Sequence, residues 1–234
     1  MSQLVVAFYG EGTSDEKFLP PLIQRTVEQT ILQHQGYAEV LPPVILDGQK
    51  IRSQQSNQVQ RIIRASQEAY GFHILVIHSD ADSSNTQKAY DERIKPGIEA
   101  VNTLAQSQEP VCSSLLPIIP VRMVEAWMLA DINAFQQVVG TNLTYSDLKL
   151  PQHPQQVELI QAPKTTLQQA VTLALSRRSG RRLIPLDTIY EPLARQISLE
   201  RLSRIPAFIE FQQGIVQALQ RLQIIPQIQT KGAR

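Results

Sequence analysis

The chain has 234 residues, 42% of them hydrophobic and 18% charged, which is ordinary for a globular protein long enough to bury a full core. No apolar stretch reaches the roughly 18 residues of a membrane helix, and the N-terminus lacks a basic region followed by a long apolar core, so a cytoplasmic protein without membrane partners is expected. The net charge of +1 is unevenly spread: residues 1–150 hold 11 Lys and Arg against 16 Asp and Glu, whereas residues 151–234 hold 11 against 5.

The apolar, β-branched run Leu4–Tyr9 reads as a strand buried on both faces. Gly10-Glu11-Gly12 breaks it. Thr13 and Glu16 have capping-box spacing, and Leu19, Leu22, Ile23, Val27 and Ile31 then fall on one helical face. A second strand is expected over Glu39–Leu46 and a helix over Asn57–Tyr70. Ile74–Ile77 forms a third strand, followed by a turn carrying Asp80 and Asp82 and a helix over Thr86–Leu104. Val111–Ile119 makes a fourth strand, shortened by Pro117 and Pro120. It contains the only cysteine, Cys112, so an internal disulfide and a cysteine zinc site are excluded and a structural thiol is expected.

The βαβαβαβ rhythm predicts an α/β fold with a mostly parallel sheet flanked by helices. This TOPRIM/Rossmann-like domain is expected over residues 1–140, with helices over Met123–Ala130 and Asn133–Val139. An irregular, proline-punctuated connection over 141–163 leads to a helical C-terminal extension over 164–234, with helices over Thr165–Ser176 and Pro206–Leu222.

Parallel strands deliver their carboxyl ends to one sheet edge, where ligands bind. Glu11, Asp80, Asp82 and Glu125 all follow strand-like runs, so separate segments are expected to build one acidic site. If Asp80-Ala81-Asp82 is extended, its two carboxylates project to the same side. Clustered carboxylates suit Mg²⁺ or Mn²⁺ completed by water and phosphate oxygens. Glu125 is a further ligand for a second metal or a salt-bridge partner of Arg122 on the same helical face. Trp127 is expected in the core, and His78 as a structural residue finishing its strand. His34, His73, His78 and His153 lack zinc spacing, and no GxxxxGK[ST] is present.

Arg177, Arg178, Arg181 and Arg182 form the densest basic segment, able to grip successive phosphates or to remain a solvated loop. Lys164 is a further candidate for a phosphate contact.

The segment Glu11-Gly-Thr-Ser-Asp-Glu-Lys-Phe and the pair Asp80-Ala-Asp82 resemble the two signatures of the TOPRIM domain, shared by topoisomerases, primases and OLD-type nucleases. Pro120-Val-Arg-Met-Val-Glu125-Ala-Trp127-Met-Leu-Ala-Asp131, with Pro163-Lys164 downstream, resembles a narrower group of bacterial TOPRIM-like proteins linked to phage defence or mobile-element conflict. The resemblance covers about residues 4–165. It implies Mg²⁺ (or Mn²⁺) held by Asp80 and Asp82, and Glu11 as a third ligand or general acid/base. The implied activity is metal-dependent phosphodiester cleavage of nucleic acid, DNA in preference to RNA. Two other readings remain open: a non-catalytic or conditionally active partner of a separately encoded ATPase, and a glycosyltransferase whose DxD holds a nucleotide-sugar diphosphate. Against the last stand the early Glu11 turn and the absence of a recognisable sugar-binding segment.

Overall fold

A computed structural model describes residues 2–176 and 184–227. Strands β1 (Gln3–Leu4) and β2 (Val6–Tyr9) replace the single expected first strand, and β3 (Glu39–Val40) and β4 (Val44–Ile45) replace the second. Pro42 and Pro43 cause the latter break, because neither can donate to a ladder. The remaining strands are β5 (Ile74–His78) and β6 (Leu115–Ile118). Cys112 lies ahead of β6 rather than inside it, buried with its amide bonded to the carbonyl of Ser66.

The main sheet has the order β4-β2-β5-β6 with every pair parallel, and β1 pairs with β3 in a separate parallel ladder. This is the expected α/β fold. Between β2 and β5 the chain changes direction across the sheet: it steps outward to β4, then crosses back to β5. The crevice at the carboxyl ends of these two strands is therefore a topological switch point, where open α/β sheets bind ligands.

Alternation along the central strands divides the core. Val6, Phe8, Ile74, Val76, Leu116 and Ile118 face one cluster, whereas Ala7, Tyr9, Leu75, Ile77 and Leu115 face the other. The second cluster is covered by α2 (Gly48–Gln54), α3 (Gln58–Glu68) and α5 (Lys95–Gln106). Helix α3 begins at the Asn57 cap, whose side chain accepts from the Gln60 amide at 2.9 Å. The expected helix over Thr86–Leu104 comprises α4 (Thr86–Ala89), a π-helical turn at Tyr90–Ile94, and α5. Pro96 cannot donate to the turn before it, and the helix widens immediately ahead of that residue.

The first cluster is covered by α1 (Thr13–Gln33) and continues through α6 (Glu125–Met128), α7 (Ile132–Val139), α8 (Pro163–Ser176), α9 (Tyr190–Gln196), α10 (Leu199–Leu202) and α11 (Pro206–Arg221). It extends from Leu4 to Ile225. Polar bonds reinforce the junction: Arg25 on α1 donates to the carbonyls of Ala194 and Ile197, and Asp131 accepts from the Ser198 amide at 2.9 Å. Trp127 is fully buried and meets Phe208 edge to face, with centroids 5.2 Å apart. Among the described residues no helix is long and apolar enough to cross a membrane.

Gly97 lets α5 approach α3. A Cβ built there would lie 2.5 Å from Ile62 Cδ1 and 2.8 Å from Ile62 Cβ. The second contact involves the root of the side chain, so rotation alone does not relieve it. Gly97→Val should therefore lower stability by about 1–3 kcal/mol through overpacking, read from the urea midpoint. An unchanged midpoint would contradict this close approach.

Candidate functional site

Glu11, Asp80 and Glu125 follow β2, β5 and β6 respectively, and the shared strand direction brings their segments to one sheet edge. At its centre is His78, the last residue of β5 and fully buried. Its Nδ1 lies 3.2 Å from the carbonyl oxygen of Ile118, and its Nε2 lies 3.4 Å from Asp15 Oδ1 and 3.4 Å from Asp80 Oδ1. A carbonyl can only accept, so Nδ1 carries a proton. A neutral ring would then turn the Nε2 lone pair toward two carboxylates. A proton on Nε2, or on one of the carboxylates, removes that repulsion.

The electrostatics agree. Burial alone would lower the His78 pKa, but Asp15, Asp80 and Glu11 override it and hold the ring up at about 9. Burial pushes Asp80 in the other sense, up to about 7; the His78 charge opposes this, while Asp15, Glu11 and Glu125 reinforce it. Burial would also raise Asp15, yet the His78 interaction and the Gly12 amide bring it below its ordinary value. The two 3.4 Å contacts satisfy an ion-pair distance without hydrogen-bond alignment, leaving His78 Nε2 and Asp80 Oδ1 buried without a hydrogen-bond partner. We therefore regard the trio as charge pairing around a shared proton rather than as two formed hydrogen bonds.

Asp15 arrives through the start of α1. Gly12 is the N-cap, and Asp15 Oδ2 accepts from the Gly12 amide at 2.8 Å. The cap thus lies one residue earlier than the Thr13/Glu16 pattern predicts, turning Asp15 inward. The signal for it was in the sequence: an acidic residue three positions after the helix-starting glycine, on the face shared with Leu19 and Leu22.

Asp82 is placed differently from the expectation. Its φ is +53°, so Asp80-Ala81-Asp82 is not extended and the alternation that would align the two carboxylates does not hold. Its carboxylate pairs with Arg93 at 2.8 Å and is 62% exposed. The same Arg93 nitrogen donates to the Asp80 carbonyl at 2.8 Å. The turn is also fastened to the loop after β6: the Ala81 amide donates to Pro120, Asp82 to Arg122, and Arg122 back to Ser83.

Glu125 is 3% exposed and accepts from the Tyr190 hydroxyl at 3.3 Å. Burial and Glu125 both raise the Tyr190 pKa, keeping the phenol a donor. Glu11 is exposed at the rim, and Lys164 is exposed at the start of α8. Arg177, Arg178, Arg181 and Arg182 lie outside the described residues.

Over residues 10–215 the sequence matches the family described as "Domain of unknown function (DUF4276)". The chain belongs to this family. The DUF4276 match spans Glu11, Asp15, His78, Asp80, Glu125 and Tyr190, and so includes the whole of the buried charge cluster. Comparisons with curated proteins and with solved structures give no match.

The donor chemistry decides what kind of metal site these residues suit. Among the described residues, no three His, Cys, Asp or Glu side chains form a group that could hold a metal ion. Asp80 Oδ1, which has His78 as charge partner but no hydrogen bond, and Glu11 at the rim are chemically compatible with a cation held by one or two carboxylates and completed by water, as Mg²⁺ commonly is. Asp82 is committed to Arg93 in this arrangement.

The cluster makes stability depend on pH. Asp80 and His78 both have folded pKa values above their ordinary values, so each contributes stability that is lost as pH rises. The loss runs from 3.8 to about 7 for Asp80 and from 6.5 to about 9 for His78. Asp15 has the opposite sign, its contribution being lost as pH falls below 3.8. Urea unfolding should show stability falling between pH 6.5 and 9, with that limb flattened in His78→Gln. An equally steep limb in the variant would remove His78 as its source.

Proposed function

We propose that this protein is a TOPRIM-like, Mg²⁺- or Mn²⁺-dependent nuclease that cleaves phosphodiester bonds in nucleic acid, DNA in preference to RNA, with a role in phage defence. The observation that carries this reading is the Asp80 carboxylate beside the switch-point crevice, whose buried Oδ1 has a charge partner in His78 but no hydrogen bond, with Glu11 at the rim. Asp80 and Glu11 would hold the ion, which when bound neutralises charge on phosphate oxygens and lowers the pKa of a water.

The protein's own groups supply the remaining chemistry. Asp80 must be ionised to act as a ligand, and His78 makes that form accessible by placing positive charge 3.4 Å away. Asp15 in turn holds His78 protonated and oriented. Glu11, exposed at the solvent boundary, would instead exchange a proton with the attacking or leaving oxygen where Asp80 alone holds the ion. Glu125 remains paired with Tyr190 and adds negative field.

The ion pair between Asp82 and Arg93 favours a second reading, in which the chain is conditionally active and a separately encoded ATPase releases Asp82. In that case the isolated chain is silent and gains cleavage when the partner and ATP are added.

Purified protein should cleave DNA in Mg²⁺ and not in EDTA, with activity rising as pH passes through about 7, where Asp80 ionises. Asp80→Asn should reduce cleavage by about 100-fold or more while leaving the circular dichroism spectrum intact. Asp82→Asn should cost much less in the isolated chain. Undiminished cleavage by Asp80→Asn would reject Asp80 as the ligand.

A further inference from the structure

Beside the acidic cluster, on the sheet face covered by α2 and α3, is a cavity of about 420 Å³ lined by Tyr9, Glu11, Arg52, Gln58, Arg61 and Arg93. Its lining therefore holds three arginines and a single carboxylate residue. Arg52 Nη1 donates to the Gly10 carbonyl at 2.9 Å and Arg61 Nε to the Gln55 carbonyl at 3.0 Å. These neutral acceptors orient both cations without neutralising them. Arg93 is the third and is shared with Asp82 at 2.8 Å. Gln58 lines the cavity, and its buried Nε2 has no hydrogen-bond partner, a cost that a ligand acceptor reaching it would remove.

Guanidinium groups match the spacing of phosphate oxygens and remain charged at any physiological pH. The cavity volume falls within the range of small-molecule sites. The rigid supports matter too, since cations held by backbone carbonyls lose little freedom on binding.

We propose that the Arg52, Arg61, Arg93 and Gln58 cavity is a phosphate-binding subsite for a nucleotide unit. Arg52 and Arg61 grip the phosphate oxygens and Gln58 donates its free amide N–H. Glu11 and Arg93 connect this cavity to Asp80, so the bound phosphate adjoins the one presented to the acidic cluster. Its service to a nucleic-acid strand rests on the cleavage reading above; the binding of phosphate itself does not.

The test is calorimetric titration of the full chain with inorganic phosphate and with a 5′-phosphorylated trinucleotide, both in EDTA so that no metal contributes. Both probes should bind, the trinucleotide lacking its 5′-phosphate at least tenfold more weakly. Arg61→Gln should weaken both phosphate probes tenfold or more, and Gln58→Leu, which removes no charge, threefold or more. Circular dichroism and urea midpoints confirm that each variant is folded. Failure of the parent to bind either probe would overturn the subsite, as would affinities unchanged in both variants. Phosphate binding that responds to these variants, in a protein without Mg²⁺-dependent cleavage, supports the subsite and sinks only the nuclease reading. Cleavage without phosphate binding does the reverse.

Discussion

An imidazole with no solvent exposure, set against two carboxylates at the end of the central strand, requires a shared proton and partners that are themselves fixed. That requirement organises the sheet edge. His78 receives one carboxylate from the first turn of α1 and one from the turn after β5, while its other nitrogen is held by the carbonyl of Ile118 at the end of β6. Three chain segments are therefore tied to one side chain. Removing His78 would leave the Asp15 and Asp80 carboxylates without the cation they share, which is far more costly than losing a surface ion pair.

The C-terminal helices bear on the same edge. Tyr190 on α9 reaches Glu125, Arg25 on α1 bonds the carbonyls of Ala194 and Ile197, and Asp131 accepts from Ser198. Those helices share one apolar cluster with the strands, and Tyr190 is the α9 residue that meets Glu125. The uneven charge distribution in the sequence is not a simple division of labour: positive charge that lines the crevice comes from Arg52, Arg61 and Arg93, all within the acidic half.

Most of the frame was legible because buried parallel strands leave short apolar runs and amphipathic helices leave a 3.6-residue period. The site was less so, for local reasons. Glu11 and Asp80 reach one sheet edge as expected because each follows a parallel strand. Asp82 was assigned beside Asp80 on the assumption of extended backbone, and a left-handed φ redirects it to Arg93. Asp15 was hidden by a one-residue shift of the helix cap, and His78 looked like a strand-ending core residue because its two partners come from distant segments. Arg52, Arg61 and Arg93 have no shared spacing at all; only the packing of α2, α3 and the π-helical turn brings them together.

The sheet's borders carry a consequence for association. Strand β4 offers only two residues to a neighbour, follows two prolines, and leaves Val44 45% and Ile45 44% exposed. At the opposite border, β6 contains Pro117 and lies against α11, where a Cβ on Gly214 would collide with Leu116. Neither margin presents an unbroken row of free amides and carbonyls long enough to template another strand. Self-assembly by edge-to-edge β-pairing is thereby discouraged, and contacts between copies would fall to the helical faces instead.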